Sequence, residues 1–149
     1  IVMSKCFDMG MVCASEQAAI LDTEIYDEAM AEFARLHAYL CTPDEKAKLE
    51  RFIFGVEARD ANCAGAKLNA SVVGQSPQWI AQQAGFTIPG DASILMAEVA
   101  EVGPSEPLTR EKLAPVLAIL RAESTEHGIK LAEQLVEEFG ARVKGTRII

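Results

Sequence analysis

The sequence holds no apolar run near the roughly 20 residues needed to cross a bilayer, so no transmembrane helix is expected. It holds no Cys-x-x-Cys pair. Its four cysteines, at positions 6, 13, 41 and 63, lack the spacing of a zinc site. Their number in a chain of 149 residues points to free thiols in a reducing compartment, the cytoplasm or an organelle matrix. There is no Gly-x-Gly-x-x-Gly and no Walker loop, hence no local cradle for phosphate. Positive charge is scarce: the net charge is −8 and the isoelectric point about 4.8, which opposes binding to nucleic acid or to an anionic membrane. The densest basic cluster, Arg142, Lys144 and Arg147, is too sparse to reverse that field. No internal repeat or low-complexity segment is present, and no secretory leader is expected. The opening Ile1-Val2 reads as the inside of a strand, and a preceding N-terminal portion is expected.

What remains is a globular composition, half hydrophobic and long enough for a sizeable core in one domain. Residues 1–5 read as the end of a buried strand. A turn and then a short helix are expected over residues 7–17, with Asp8 as cap and Gly10 allowing close backbone approach. Residues 18–21 (AAIL), 93–99 (SILMAEV) and 116–120 (VLAIL) are strands apolar on both faces, and residues 146–149 read as another. Helices are expected from Thr23 to about Tyr39, from Thr42-Pro43-Asp44-Glu45 to Gly55, from Ser76-Pro77 to Gly85, and over residues 124–138. Residues 56–66 read as a surface loop, and residues 69–73 as a short turn or helix. Helices alternating with buried strands give an α/β class with a largely parallel sheet covered by helices.

The first chemical candidate is Cys13, in FDMGMVCASEQ. A thiol at a helix N-terminus has a lowered pKa, and backbone N–H groups there can hold an oxyanion. Against this stands the use of cysteine as a small buried hydrophobe. His37 and His127 read as solvated helix residues and Trp79 as packing. Glu98 and Glu101 read as solvated acids at a strand end.

The stretch SKCFDMGMVCASEQ resembles the nucleophile segment of CoA-acylating aldehyde dehydrogenases, in particular the aldehyde dehydrogenase half of the bifunctional aldehyde–alcohol dehydrogenases of fermentation. AKLNASVVGQSPQWIAQQAGF, SILMAEVAEV and EPLTREKLAPVLAI continue the resemblance in the same order along most of the chain. The resemblance implies an aldehyde-dehydrogenase-like catalytic domain over residues 1–149, with Cys13 as the catalytic nucleophile. It implies that Glu111, in REKLAPV, accepts hydrogen bonds from the ribose hydroxyls of NAD, and that Leu113 packs near the nicotinamide. The reaction implied interconverts a short aldehyde, acetaldehyde, and acetyl-CoA with NAD(H) and coenzyme A through a cysteine thioester, in a homo-oligomer. Two residues depart from the pattern: Met9 stands where the family usually has an asparagine that resembles an oxyanion donor, and Cys6 where it has a hydroxyl residue.

In that family the dinucleotide-binding domain lies mostly upstream and the iron-dependent alcohol dehydrogenase domain downstream, and neither is expected here. The stretch EEFGARVKGTRII, from Glu137, resembles sequence that normally follows a further stretch carrying a Gly-Gly-x-Gly-His turn. Two other readings differ in kind: a non-catalytic domain acting in assembly, and a thiol acyl carrier without redox chemistry. Binding of NAD separates the first reading from both.

Overall fold

Capped amphipathic stretches and doubly apolar strands fold here into a parallel sheet between helices. The computed structural model describes residues 1–55, 66–139 and 146–148, with the backbone alone for residues 138, 139 and 146–148. In chain order the elements are α1 (Val2–Cys6), β1 (Ala18–Asp22), α2 (Tyr26–Arg35), β2 (Ala38–Leu40), α3 (Pro43–Phe54), α4 (Pro77–Ala84), β3 (Ile94–Glu98), β4 (Val116–Ala122), α5 (Thr125–Phe139) and β5 (Thr146–Ile148). The sheet order is β2-β3-β4-β1-β5 and every pairing is parallel.

The alternation of side chains divides the core in two. Ile20, Leu95, Ala118 and Leu120 pack with Leu49, Ile53, Ile80 and Leu135 of α3, α4 and α5. Leu21, Met96, Leu117 and Ile119 pack with Val2 of α1 and with Tyr26 and Phe33 of α2. Both faces are covered, which is why these strands read as continuous apolar runs.

The strands at residues 18–21, 93–99 and 116–120 and the helices opening at Thr42-Pro43 and Ser76-Pro77 fall where the sequence places them. Thr42 and Glu45 form a reciprocal capping box, Ser76 accepts from the Trp79 N–H, and Gly55 and Gly85 end the two helices in left-handed conformation. Trp79 packs against Phe52, with ring centroids 6.1 Å apart. Residues 69–73 contain a short 3-10 turn, Ala70–Val72. The loop expected over residues 56–66 and Cys63 fall, apart from Ala66, outside the described residues.

Three expectations are corrected. Residues 1–5 belong to a helix: Val2 and Lys5 face inward while Met3 and Ser4 are exposed, a helical spacing rather than a strand's. The helix expected to run to about Tyr39 ends at Arg35, because His37 adopts a left-handed φ of 59° and Ala38–Leu40 then pair with Ile94–Met96. No helix follows Gly10. A 3-10 turn, Phe7–Gly10, leads into irregular turns that run to β1. Among the described residues no helix is long and apolar enough to cross a membrane.

Candidate functional site

β1 and β4 lie side by side with Ala18 opposite Ala118. Parallel strands bring the segments that enter them to the same edge of the sheet. Cys13 precedes β1 and Glu111 and Leu113 precede β4, so the topology collects all three at the amino ends of one strand pair.

The two entering segments touch. Gly10 has φ 71°, and a Cβ added there would lie 2.6 Å from the carbonyl carbon and oxygen of Ala114 and 3.0 Å from the Pro115 nitrogen. A third segment joins them: the Gly74 N–H donates to the Leu113 carbonyl at 3.4 Å, and Gly74 sits against the Met11 sulfur. Cys13 is exposed on the resulting turn, which is fastened by Met11 N–H to Asp8 O at 3.1 Å and Ser15 N–H to Val12 O at 2.9 Å. The nucleophile candidate does not stand at a helix N-terminus, so the expected helix dipole does not act on it. Asp8 cannot cap a helix that does not form; it and Met9 adopt left-handed φ values of 50° and 52°. Leu113 is left-handed too, at φ 49°, and both it and Glu111 are half-buried.

The other described thiols differ from Cys13. Cys6 is half-buried, donates to the Ser93 carbonyl at 3.4 Å, and has its pKa raised, chiefly by burial, with the Ser93 bond opposing. Cys41 is buried in the core, which pushes its pKa up to about 12, with the Glu45 charge adding to the effect of burial.

Beneath the surface turn lies a polar layer that the sequence did not reveal. Lys5, Ser15, Glu16, Gln17 and Lys112 are all buried. The Lys112 ammonium donates to the carbonyl oxygens of Leu108 at 2.6 Å, Arg110 at 2.8 Å and Gln17 at 3.0 Å. The Gln17 side-chain oxygen accepts from the Lys112 N–H at 3.1 Å and from Lys5 Nζ at 3.5 Å, and its amide donates to Ser15 O at 3.3 Å. Burial lowers the Lys5 pKa to about 8, with Glu16 and Glu111 opposing. Burial and the Lys5 charge hold Lys112 well below the usual lysine range, against the attraction of Glu111. Three carbonyl acceptors match the three N–H groups of an ammonium ion, which favours the charged form. No periodicity marks a buried lysine; Lys112 between Glu111 and Leu113 reads as one more solvated charge.

The remaining polar candidates lie apart from this edge. His37 is exposed and pairs with Asp91 at 2.8 Å. The His127 ring accepts from the Glu123 N–H at 3.2 Å, just ahead of α5. Glu98 accepts from the Tyr26 hydroxyl at the carboxyl end of the sheet, and Glu101 from Ser105. A cavity of 520 Å³ opens at that far end between Tyr26, Lys46, Glu98, Glu106 and Arg121. In it Arg121 lies 3.6 Å over the Tyr26 ring and Lys46 pairs with Glu106 at 2.7 Å. Among the described residues no cluster of metal-ligating side chains occurs.

No protein-family model matches the chain. It is 55% identical to an aldehyde-alcohol dehydrogenase of Streptococcus pneumoniae over all of its own length and 19% of the relative's. It is 58% identical to aldehyde-alcohol dehydrogenase 2 of Entamoeba histolytica over 94% of the chain and 16% of that protein. The chain thus spans about a fifth of the length of the curated relatives it matches. The S. pneumoniae match runs over 168 positions against 149 in the chain, so part of the relative within the matched span has no counterpart here. Among solved structures, an acetylating aldehyde dehydrogenase from Geobacillus thermoglucosidasius superposes with TM-score 0.83 at 40% identity, over 93% of the chain and 29% of that protein. A probable aldehyde dehydrogenase from Listeria monocytogenes gives TM-score 0.84 at 36% identity, over 94% of the chain and 29% of that protein. In sequence and fold the chain corresponds to a segment shared by the aldehyde-alcohol dehydrogenases and the acetylating aldehyde dehydrogenases.

Proposed function

We propose that residues 1–149 are the nucleophile-bearing domain of an enzyme that interconverts acetaldehyde and acetyl-CoA, working with a dinucleotide-binding domain outside this chain. The observation that carries the reading is that the Cys13 turn and the segment running from Glu111 into β4 lie at the amino ends of β1 and β4, in contact where Gly10 packs on Ala114 and Pro115.

In the acylating direction the Cys13 sulfur bonds to the aldehyde carbon, and the aldehyde oxygen takes up a proton. Nicotinamide supplies the chemistry of accepting the hydride that leaves this carbon. Loss of the hydroxyl proton completes a thioester on Cys13. The CoA thiol then attacks that carbonyl, takes the acyl group, and returns Cys13 to its free form. Glu111 fits the task of accepting from ribose hydroxyls, being a half-buried carboxylate on the segment that enters β4 beside β1, and Leu113 offers an apolar side chain two residues on. The chain has no glycine-rich loop for the cofactor's phosphates, which is why the reading assigns most of that surface to another domain.

Incubation with acetyl-CoA followed by peptide mapping tests the reading. An acetyl group on Cys13, absent in Cys13→Ser, is expected. Acetylation of Cys13 without any NAD-dependent step in the whole enzyme would favour the thiol acyl carrier, and no acetylation of Cys13 would overturn its role as nucleophile.

A further inference from the structure

The buried layer under the Cys13 turn has no place in the chemistry just described, yet its bonds connect the two halves of the site. Gln17 ends the segment that carries Cys13. Leu108 and Arg110 precede Glu111, and Lys112 follows it. One ammonium group bridges all of these through three main-chain carbonyls, at 2.6 to 3.0 Å. The return bond, from the Lys112 N–H to the Gln17 side chain at 3.1 Å, fixes the backbone just after Glu111. Glu111 is therefore tied on both sides to the segment that carries Cys13. The packing of Gly10 on Ala114–Pro115 limits how closely the two segments approach, but contact alone does not stop them sliding.

A cation is an unusual choice for such a brace. Full burial of Lys112 beside Lys5 costs ionisation energy that a methionine of similar length would not. A merely space-filling side chain at this point would be apolar. Directed bonds to three carbonyls supply a fixed geometry in return.

We infer that Lys112 is a positioning residue, whose three bonds to the Leu108, Arg110 and Gln17 carbonyls hold the Cys13 turn and Glu111 in register for hydride transfer. The inference rests on the proposed roles of Cys13 and Glu111. It separates two steps. Acylation of Cys13 needs the thiol turn alone, whereas hydride transfer needs both segments, and a displacement near 1 Å can cost on the order of a hundredfold in rate.

The test uses the whole enzyme, with its dinucleotide-binding domain, and the variant Lys112→Met. Cys41 serves as the fold reporter, since it is buried and stays unlabelled by iodoacetamide while the core is intact. With Cys41 protected, acetylation of Cys13 by acetyl-CoA should stay within a few-fold of the unmodified protein, while single-turnover hydride transfer from NADH to that acetyl group falls about a hundredfold. Equal losses in both steps, or no loss in either, would overturn the inference. Should Lys112→Met expose Cys41, Lys112→Gln keeps a polar side chain at this point but has too few N–H donors for the three carbonyls. It must show the same split, and failure to do so overturns the inference. If the unmodified enzyme does not acetylate Cys13, the proposed function fails first and takes the brace with it. Acetylation with no split between the steps removes the brace alone.

Discussion

At the residue scale, the strained point is Met9. A left-handed φ of 52° costs an L residue with a long side chain roughly 1 kcal/mol, whereas asparagine tolerates it. Met9 is 43% exposed, so replacing it forfeits little burial. Met9→Asn should therefore stabilise the chain by about 1 kcal/mol in urea unfolding, and a loss of stability would mean that the methionine packs better than its exposure indicates. Gly10→Ala should act the other way. Its Cβ would meet main-chain atoms at 2.6 Å at an already positive φ, and the cost should exceed about 2 kcal/mol. Lys5 gives a pH signature. Its folded pKa is about 8 against roughly 10.4 unfolded, so below pH 8 both states carry the proton and the burial penalty is fully present. Between those values the unfolded chain holds more protons, and native stability rises with pH, by at most about 1.4 kcal/mol per unit. The stability deficit of the unmodified chain relative to Lys5→Met should shrink from pH 8 to 10. A constant difference would show that Lys5 keeps an ordinary pKa. Thiol reactivity belongs here as well. Exposed Cys13 should alkylate ahead of Cys6 and Cys41, both raised by burial, and labelling of either one first in brief iodoacetamide mapping would count against Cys13.

At the element scale, caps and runs were legible and breaks were not. α3 and α4 could be read from Thr42-Pro43 with Glu45 and from Ser76-Pro77, because local side-chain bonds determine where those helices start. Thr42→Ala should cost about 1 kcal/mol in thermal or urea unfolding. Glu45→Ala should cost at least as much, since its carboxylate closes the capping box and also accepts from the Tyr39 hydroxyl at 3.0 Å, tying β2 to α3. A smaller loss for Glu45→Ala would show that the Tyr39 bond adds nothing. The short edge strand β2 was invisible because residues 36–40 continue a helical apolar spacing. Only the pairing with β3 and the turn at His37 override it. The helix expected at Cys13 failed for a related reason. Asp8 and Gly10 are cap residues and left-handed residues alike, and the packing of Gly10 on Ala114–Pro115 selects the second use. Cys13, Glu111 and Leu113 were singled out through the resemblance of their segments, whereas the buried lysines beneath them required the fold.

At the scale of the whole molecule, the sheet separates two environments. Its amino edge carries Cys13 and Glu111 above a braced polar layer, while its carboxyl edge carries a 520 Å³ cavity in which Lys46 pairs with Glu106. The central strand β4 presents Leu117 to one core and Leu120 to the other. Both faces therefore fold against the same strand that positions the site. The proposed thiol chemistry needs only the amino edge, but the proposed hydride transfer also needs a surface for the cofactor's phosphates, and the chain has no glycine-rich loop to provide one. We accordingly expect the 149-residue chain by itself, mixed with acetyl-CoA and NADH, to give at most a slow acetyl adduct on Cys13 by intact mass, with no fall in NADH absorbance. The same mixture with the whole enzyme should consume NADH. Sustained oxidation by the isolated chain would place the cofactor surface within these residues and would remove the reason for assigning it to another domain.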